Sequence, residues 1–495
     1  MANHLYDAIF EPHAASGTTF LHLPDGTTLS HQDFAGTIAS LVAALAAIGV
    51  KAGDRVAAQV EKSPTALALY AACLHAGAVF LPLNTSYTDQ EVAFFIQDCA
   101  ASVLFCDPAR APQLENVMAQ MPTHLVTMAA DGTGSWQSAR PHALPVKAER
   151  TGDDLAAILY TSGTTGRPKG AMLSHDNLLS NAAALVDLWG MTAADTLMHA
   201  LPVYHSHGLF VACNVSLLAG ARMVYFPKFD PDLVISALPD CTVMMGVPTF
   251  YTRLLASPAF TPEASRNMRL FISGSAPLLA HTHQAFEDRT GHRILERYGL
   301  TETSMNTSNP LNGLRKPGTV GMPLPGVDLR IERTEPGAAG EIQVKGPNVF
   351  KGYWGLKEKT ADAFTTDGYF RTGDLGDIDA DGYVTIVGRS KDLIISGGLN
   401  IYPKEIETVI DAQPEVDESA VIGLPDPDFG ERVIAIVVET TKGAVDPVAL
   451  KSVLARFLAK YKLPKEIVTI DNLPRNSMGK VMKKDLRDLI SQKRL

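Results

Sequence analysis

Basic charge is in short supply. The 495 residues contain 43 Lys and Arg against 53 Asp and Glu, a formal net charge of -10. A surface of that sign repels a phosphate backbone, so nucleic acid is excluded as the main partner, while a local basic cleft remains open to an acidic small molecule. Cysteine is scarce too. Cys73, Cys99, Cys106, Cys213 and Cys241 sit in apolar surroundings without Cys-x-x-Cys spacing, which fits reduced core thiols in a cytoplasmic protein better than disulfides or zinc. No structural metal is expected. The opening Met-Ala-Asn-His-Leu-Tyr-Asp lacks the basic segment and apolar core of a secretory signal. A membrane span is equally lacking. The longest apolar stretch, residues 66–83, is divided by His75 and Gly77 and reads as a helix followed by a strand ending at Pro82.

Apolar residues are plentiful, at 46% against 19% charged, which excludes wholesale disorder and leaves room for two to four folded units. From about residue 40 to 300, short apolar runs (55–60, 79–83, 102–106, 196–201, 222–226, 242–247, 270–273) alternate with longer stretches such as 64–77 and 89–100. That alternation predicts β-α-β units, parallel sheet and an α/β class. Beyond about 320, short strands at 340–345 and either side of Asp381-Gly382 predict a compact β-rich subdomain. After Lys391 come a helix at 403–411, strands at 419–424 and 433–439, and a helix at 447–461. They predict a small α+β domain, dividing the chain into 1–390 and 391–495.

The densest chemical signal is Thr161-Ser-Gly-Thr-Thr-Gly-Arg-Pro-Lys-Gly170. Thr161, Ser162, Gly163, Thr164, Thr165 and Gly166 offer hydroxyls and uncrowded backbone N–H groups to a polyphosphate, and Lys169 adds a charge. A Walker-type loop does not fit, because Gly166 is followed by Arg167, and Lys169 by Gly170 rather than Ser or Thr. A plain hydroxyl-rich surface turn is the alternative. An apolar strand, residues 155–160, precedes the loop, so a nucleoside triphosphate is the first ligand to consider.

Four further segments follow in order: Glu296-Arg-Tyr-Gly-Leu-Thr-Glu302, Tyr369-Phe-Arg-Thr-Gly-Asp374, Gly388-Arg-Ser-Lys-Asp392 and Pro474-Arg-Asn-Ser-Met-Gly-Lys480. With the loop, they resemble the acyl-adenylate-forming superfamily of acyl-CoA synthetases, luciferases and adenylation domains over nearly the whole chain. The resemblance implies a large adenylation domain of several subdomains with mixed and parallel sheets, and a small mobile C-terminal domain. It also implies ATP, Mg2+ and coenzyme A, and two half-reactions: a carboxylate is joined to AMP, then displaced by a thiol.

On that resemblance the loop and Lys169 hold the β- and γ-phosphates, and Glu302, beside Thr301, binds Mg2+. Tyr298 stacks on adenine with Gly299 allowing close approach, although a Tyr at a strand end is often plain core. Asp374 accepts the ribose hydroxyls, Arg389 donates to the same sugar, and Lys480 reaches the α-phosphate and the carboxylate. Lys391 matches the hinge. Rotation about it would bring Gly397 and Gly398 to the pantetheine path. His205 matches a gate at that tunnel, a packed polar histidine being the alternative. Removal of the Lys480 charge by a lysine acetyltransferase, reversed by a deacetylase, would block adenylation.

The acid is sought in residues 205–210, 246–253, 272–277 and 297–306. A guanidinium facing this pocket is costly without an anion, and a dicarboxylate supplies one with bidentate geometry. Tyr204-His-Ser-His-Gly208, Pro248-Thr-Phe-Tyr-Thr-Arg253, Ile272-Ser-Gly-Ser-Ala-Pro277 and Glu302-Thr-Ser-Met-Asn306 are similar to the malonate-activating branch of the superfamily. That similarity implies Arg253 and Ser275 on the distal carboxylate, with Ser206 and Met305 limiting substituents at C2 and Arg297 assisting. Methylmalonate also fits, and the product would feed fatty-acid metabolism. For Arg253 a surface salt bridge is the alternative, and for Arg297 a role in nucleotide geometry.

Overall fold

A computed structural model describes residues 2–138, 145–161, 168–333, 339–396 and 399–492. The expected alternation builds two doubly wound sheets. In one, the spatial order is His124–Thr127, Val103–Cys106, Arg55–Gln59, Val79–Pro82, Leu155–Thr161, Lys169–Ser174. Neighbours are parallel except the last pair, which is antiparallel. The phosphate-loop segment thus joins strand to strand, where a Walker loop would lead into a helix. Val79–Pro82 and Val103–Cys106 are buried throughout, as strands covered on both faces must be. Helix Pro64–Ala76 is buried from Ala66 to Leu74 and ends at a left-handed Gly77. The apolar stretch 66–83 is therefore helix, turn and strand, all inside the core. Among the described residues one helix, His31–Ile48, is long and apolar enough to cross a membrane; it buries Phe34, Ile38, Leu41 and Leu45 in the core.

The second sheet has nine strands, in the order Met322–Pro323, Ser304–Ser308, Leu295–Leu300, Leu270–Ser273, Val243–Gly246, Thr196–His199, Arg222–Tyr225, Thr19–His22, Thr28–Ser30. Its centre is parallel and its edges antiparallel. The strands ending at His199, Gly246, Ser273 and Leu300 point the same way, and the segments leaving them carry His205, Arg253, Ser275 and Glu302. Ligands of open parallel sheets bind outside such carboxyl ends. After Thr196–His199 the chain forms a π-helix, His207–Cys213, before the α-helix Asn214–Leu218; π turns are rare and concentrate at functional sites.

The β-rich subdomain is an antiparallel sheet of Asp328–Glu332, Gly340–Lys345, Phe370–Ile378 and Val384–Arg389. The C-terminal unit centres on the long pair Val416–Asp426 and Gly430–Glu439. Its two apolar clusters lie wholly within residues 394–490. Met478 is the exception: it is buried in the core of the larger domain. The helix expected at 447–461 stops at Phe457, because Leu458 turns to an extended backbone and is buried.

Asn177 ties these parts together. Its Oδ1 accepts from the Ser174 N–H at 2.9 Å, and its Nδ2 donates to the Pro347 and Val349 carbonyls at 2.7 and 2.9 Å. Asn177→Ala leaves those groups unsatisfied, at a cost of about 2–3 kcal/mol. Calorimetry should find the melting midpoint lowered by about 2–3 °C; an unchanged midpoint would mean that this strut carries no weight.

Candidate active site

Asp374 and Arg389 are direct cross-strand partners. Arg389 Nε lies 2.8 Å from Asp374 Oδ1, and the Tyr298 hydroxyl donates to Oδ2 at 2.6 Å. Asp374 is 3% exposed, so this carboxylate is held rigidly by two donors. Burial pulls the Arg389 guanidinium down, yet Asp374, Tyr298 and Glu302 hold it above its ordinary value. Burial and the Asp374 charge push the Tyr298 phenol well up, keeping it a donor. A carboxylate accepts at about four positions, so Asp374 retains capacity for a vicinal diol. The residue read from sequence as a platform for the base thus also braces the carboxylate expected to accept the sugar.

Tyr298 can reach Asp374 because Leu295–Leu300 folds back on Ser304–Ser308. A side chain at Gly299 would collide with the Ser304 carbonyl, and Ser304 itself has φ +48°. Such a turn costs backbone strain. It presents Thr301 and Glu302, both half-buried.

Thr161 and Lys169 end and begin the two strands that flank the phosphate segment and are paired across the ladder. Ser162, Gly163, Thr164, Thr165 and Gly166 lie outside the described residues, as do Gly397 and Gly398. Lys169 Nζ sits 4.0 Å from the Tyr353 ring centroid, and the Tyr353 hydroxyl donates to Glu302 Oε1 at 3.0 Å.

Lys480 comes from the C-terminal domain on a tight loop. Asn476 Oδ1 accepts from the Met478 and Lys480 N–H groups, each at 3.0 Å. The loop is docked: Ser477 Oγ lies 3.2 Å from His205 Nε2 and 3.4 Å from Asn84 Nδ2. Gly479 sits against Thr249. Burial, then the Arg389 charge, lower the Lys480 ammonium to about 8, with Asp374 opposing. Lys391, exposed in the turn Ser390–Asp392, has its ammonium lowered by partial loss of solvation and by the Arg389 charge. His205 is lowered to about 4 by burial. The expected gate is therefore an uncharged contact to the Lys480 loop.

The acyl side differs from expectation. Arg253 is exposed on Pro248–Ala256, whose buried residues are Phe250, Tyr251 and Leu254. It falls one turn after Thr249, on the stripe that meets Gly479. Arg297 is the interior guanidinium: it is 3% exposed, and its Nε and Nη2 have no partner. Burial brings it to about 9. Its guanidinium lies over Gly274, where any side chain would collide with it. Next to it, Ser275 has φ +71° and its Oγ lies 3.2 Å from His207 Nδ1. The Ser206 Oγ, Ser273 Oγ and His207 Nε2 are also buried without partners, and Met305 is buried nearby in sequence at the Gly299 turn. A set of orphaned polar atoms around an unpaired cation describes a site shaped for an anion.

Sequence reasoning missed several supports. Lys62 Nζ lies 2.8 Å from His199 Nδ1, and His199 Nε2 lies 2.9 Å from the Gly208 carbonyl, fixing the loop that carries residues 205–207. His207 stood in a segment already singled out, two residues from His205. Ser477 likewise stood in the quoted segment 474–480, whereas Tyr353 and Lys62 had no spacing signal, since their partners lie far away in the chain.

Comparison with known proteins agrees with this geometry. Residues 11–354 match the AMP-binding enzyme family, and residues 405–480 the AMP-binding enzyme C-terminal domain. The fold is similar to the crystal structure of ATP-bound MatB from Rhodopseudomonas palustris, with a TM-score of 0.95, 51% identity and 99% of each chain covered. A malonate–CoA ligase of Arabidopsis thaliana is 38% identical over 83% of this chain and 74% of that protein. A feruloyl-CoA synthase of an Amycolatopsis species is 37% identical over 97% and 96%. With its matched segments spanning most of its length, the chain belongs to the AMP-binding enzyme family.

Proposed function

We propose that the protein is a cytoplasmic, ATP- and Mg2+-dependent ligase that joins malonate, and methylmalonate, to coenzyme A through an acyl-AMP, giving malonyl-CoA, AMP and pyrophosphate. Ligation to coenzyme A is supported by the relatives, and ATP by the nucleotide bound to the similar MatB. The observation that carries the dicarboxylate is Arg297, an interior guanidinium with two unpaired nitrogens. An unpaired buried charge costs several kcal/mol. A monocarboxylate spends its one charge at the reacting end. The second carboxylate of malonate reaches Arg297, with Ser275 beside it and Arg253 at the cleft side.

In this reading the malonate carboxylate attacks the α-phosphorus and pyrophosphate leaves, with Lys480 stabilising the charge that develops. Asp374, Arg389 and Tyr298 fix the nucleoside, and the residues from Thr161 to Lys169 fix the β- and γ-phosphates. One carboxylate, Glu302, with Oε2 uncommitted among the described residues, suits Mg2+, which is usually held by one or two carboxylates plus substrate phosphates. The metal supplies charge neutralisation. The coenzyme A thiol then attacks the acyl carbon and AMP leaves. For that step the domain beyond residue 390 rotates about Lys391, withdrawing Lys480 and bringing in Gly397 and Gly398. Acetylation of Lys480 by a lysine acetyltransferase would silence the first step alone.

The feruloyl-CoA synthase relative favours a second reading, a ligase for another acid. A neutral aryl tail leaves Arg297 unpaired. Loading of a carrier protein would make free coenzyme A dispensable. Pyrophosphate release with ATP, Mg2+ and coenzyme A, measured across malonate, methylmalonate, succinate, acetate and 4-coumarate with mass detection of the thioester, decides among these. Preference for a monocarboxylate would sink the malonate assignment. Arg297→Met is expected to cost malonate at least ~100-fold in kcat/KM, as loss of two charge-assisted hydrogen bonds implies. Acetate should change little, and Arg253→Met should act in the same direction. Equal losses for both acids would move the carboxylate site elsewhere.

Lys480 must carry its proton to act. Its free-enzyme value of about 8 means that the charged fraction falls as pH rises through that point. The kcat/KM for adenylation should be level below it and decline with unit slope above it, while Lys480→Arg flattens the alkaline limb of whatever rate remains. A wild-type profile that stays level to the ordinary lysine range would contradict this role.

A further inference from the structure

We infer that Tyr353 is a positioning residue that holds the phosphate lysine and the metal carboxylate apart and ready, an inference that rests on the roles proposed for Lys169 and Glu302. Its backbone is fixed first. The N–H groups of Met172, Lys351 and Trp354 donate to the carbonyls of Gly352, Met172 and Gly170 at 2.9, 2.9 and 2.8 Å, so residues 351–354 add to the edge of Lys169–Ser174. The Phe350 N–H donates to the Glu302 carbonyl at 2.8 Å. The Tyr353 N–H donates to Thr360 Oγ1 at 2.9 Å. One short segment thereby stitches the exit of the phosphate segment to the Glu302 turn.

The side chain then meets both charges. The ring face takes the Lys169 ammonium at 4.0 Å, and the hydroxyl donates to Glu302 Oε1 at 3.0 Å. Tyr353 is 5% exposed, so both contacts are made inside the protein. Among the described residues neither Lys169 nor Glu302 has an ion-pair partner. Two opposite charges at one ligand site would otherwise be free to pair with each other, and a metal–nucleotide complex would then have to break that pair before binding. A tyrosine between them gives each a weak partner of the right kind, a π face for the cation and an O–H for the anion, and leaves both able to turn to the ligand.

The test uses the full-length protein. ATP affinity is measured by calorimetry in Mg2+ and in EDTA, beside adenylation rates at varied Mg2+. Tyr353→Phe keeps the ring and loses the hydroxyl; it should weaken ATP binding about 10-fold or more in Mg2+, as loss of a carboxylate's outer partner does, with affinity in EDTA unchanged. Tyr353→Leu should in addition weaken binding in EDTA about threefold. Wild-type affinity of the Phe variant in Mg2+, or equal losses in Mg2+ and EDTA, would overturn the inference. If the Leu variant does not fold, the Phe comparison still decides. Glu302→Gln separates the inference from its premise: an unaltered Mg2+ dependence there removes the Glu302 assignment and Tyr353 with it, whereas loss in Glu302→Gln but not in Tyr353→Phe removes the Tyr353 role alone.

Discussion

The ion pair between Arg389 and Asp374 is the joint on which the arrangement turns. It closes one edge of the β-rich sheet, and through Tyr298 it is bonded to the nine-stranded sheet. Two residues beyond Arg389 lies Lys391, and the Lys480 loop is near enough for both members of the pair to act on its ammonium. Three structural units therefore meet at one carboxylate. Its burial makes the pair informative: a buried ion pair adds little net stability over an apolar replacement, but removing one partner leaves a costly bare charge. Geometry is what such a pair supplies here, and the two hydroxyls of the sugar proposed to bind it would need that geometry.

The second constraint is an excess of cations inside a chain whose net charge is -10. Arg297 has two unpaired nitrogens, Lys480 is drawn down by burial, and Lys391 is drawn down beside Arg389. His205 and His207 are held neutral by burial, with Arg297 contributing at His207. Arg297 and Lys480 are groups that an anionic ligand such as a polyphosphate or a carboxylate would neutralise. Burying an unpaired guanidinium is electrostatically unfavourable, and an anion bound beside Arg297 would offset that cost.

Much of this was legible in the sequence because it is local. Parallel strands buried on both faces are short apolar runs, and runs such as 55–60, 79–83 and 270–273 appear as strands within a residue or so of their expected bounds. Asp374 and Arg389, Tyr298 and Glu302, and Lys480 stand in compact motifs and converge, apart from the loop residues outside the described segments. What was not legible was tertiary. Arg253 and Arg297 look alike on paper, and only the packing of Phe250, Tyr251 and Leu254 turns the first outward while the bare Gly274 admits the second. Tyr353 reads as one aromatic in an unremarkable stretch until strand pairing over about 180 residues of chain sets it between Lys169 and Glu302. The hairpin after Thr161 was also hidden, since six consecutive residues of turn chemistry do not say whether a helix or a strand follows.

The docking of the Lys480 loop has a strength suited to repeated release. Its one deeply buried side chain is Met478, and burying a methionine is worth about 1.5–3 kcal/mol. The polar contacts, Ser477 to His205 and to Asn84, are at 3.2 and 3.4 Å and are partly exposed, so they add little beyond what water returns. On the proposed two-step function, an interface of this size would hold the loop in place and still let it open within a catalytic cycle. A larger apolar plug would trap Lys480 at the nucleotide after pyrophosphate had left, and a smaller one would leave its ammonium in solvent, where neither burial nor Arg389 could act on it. On the proposed function, the Met478 contact would set a compromise between the two half-reactions: strong enough to deliver a charge, weak enough to take it away.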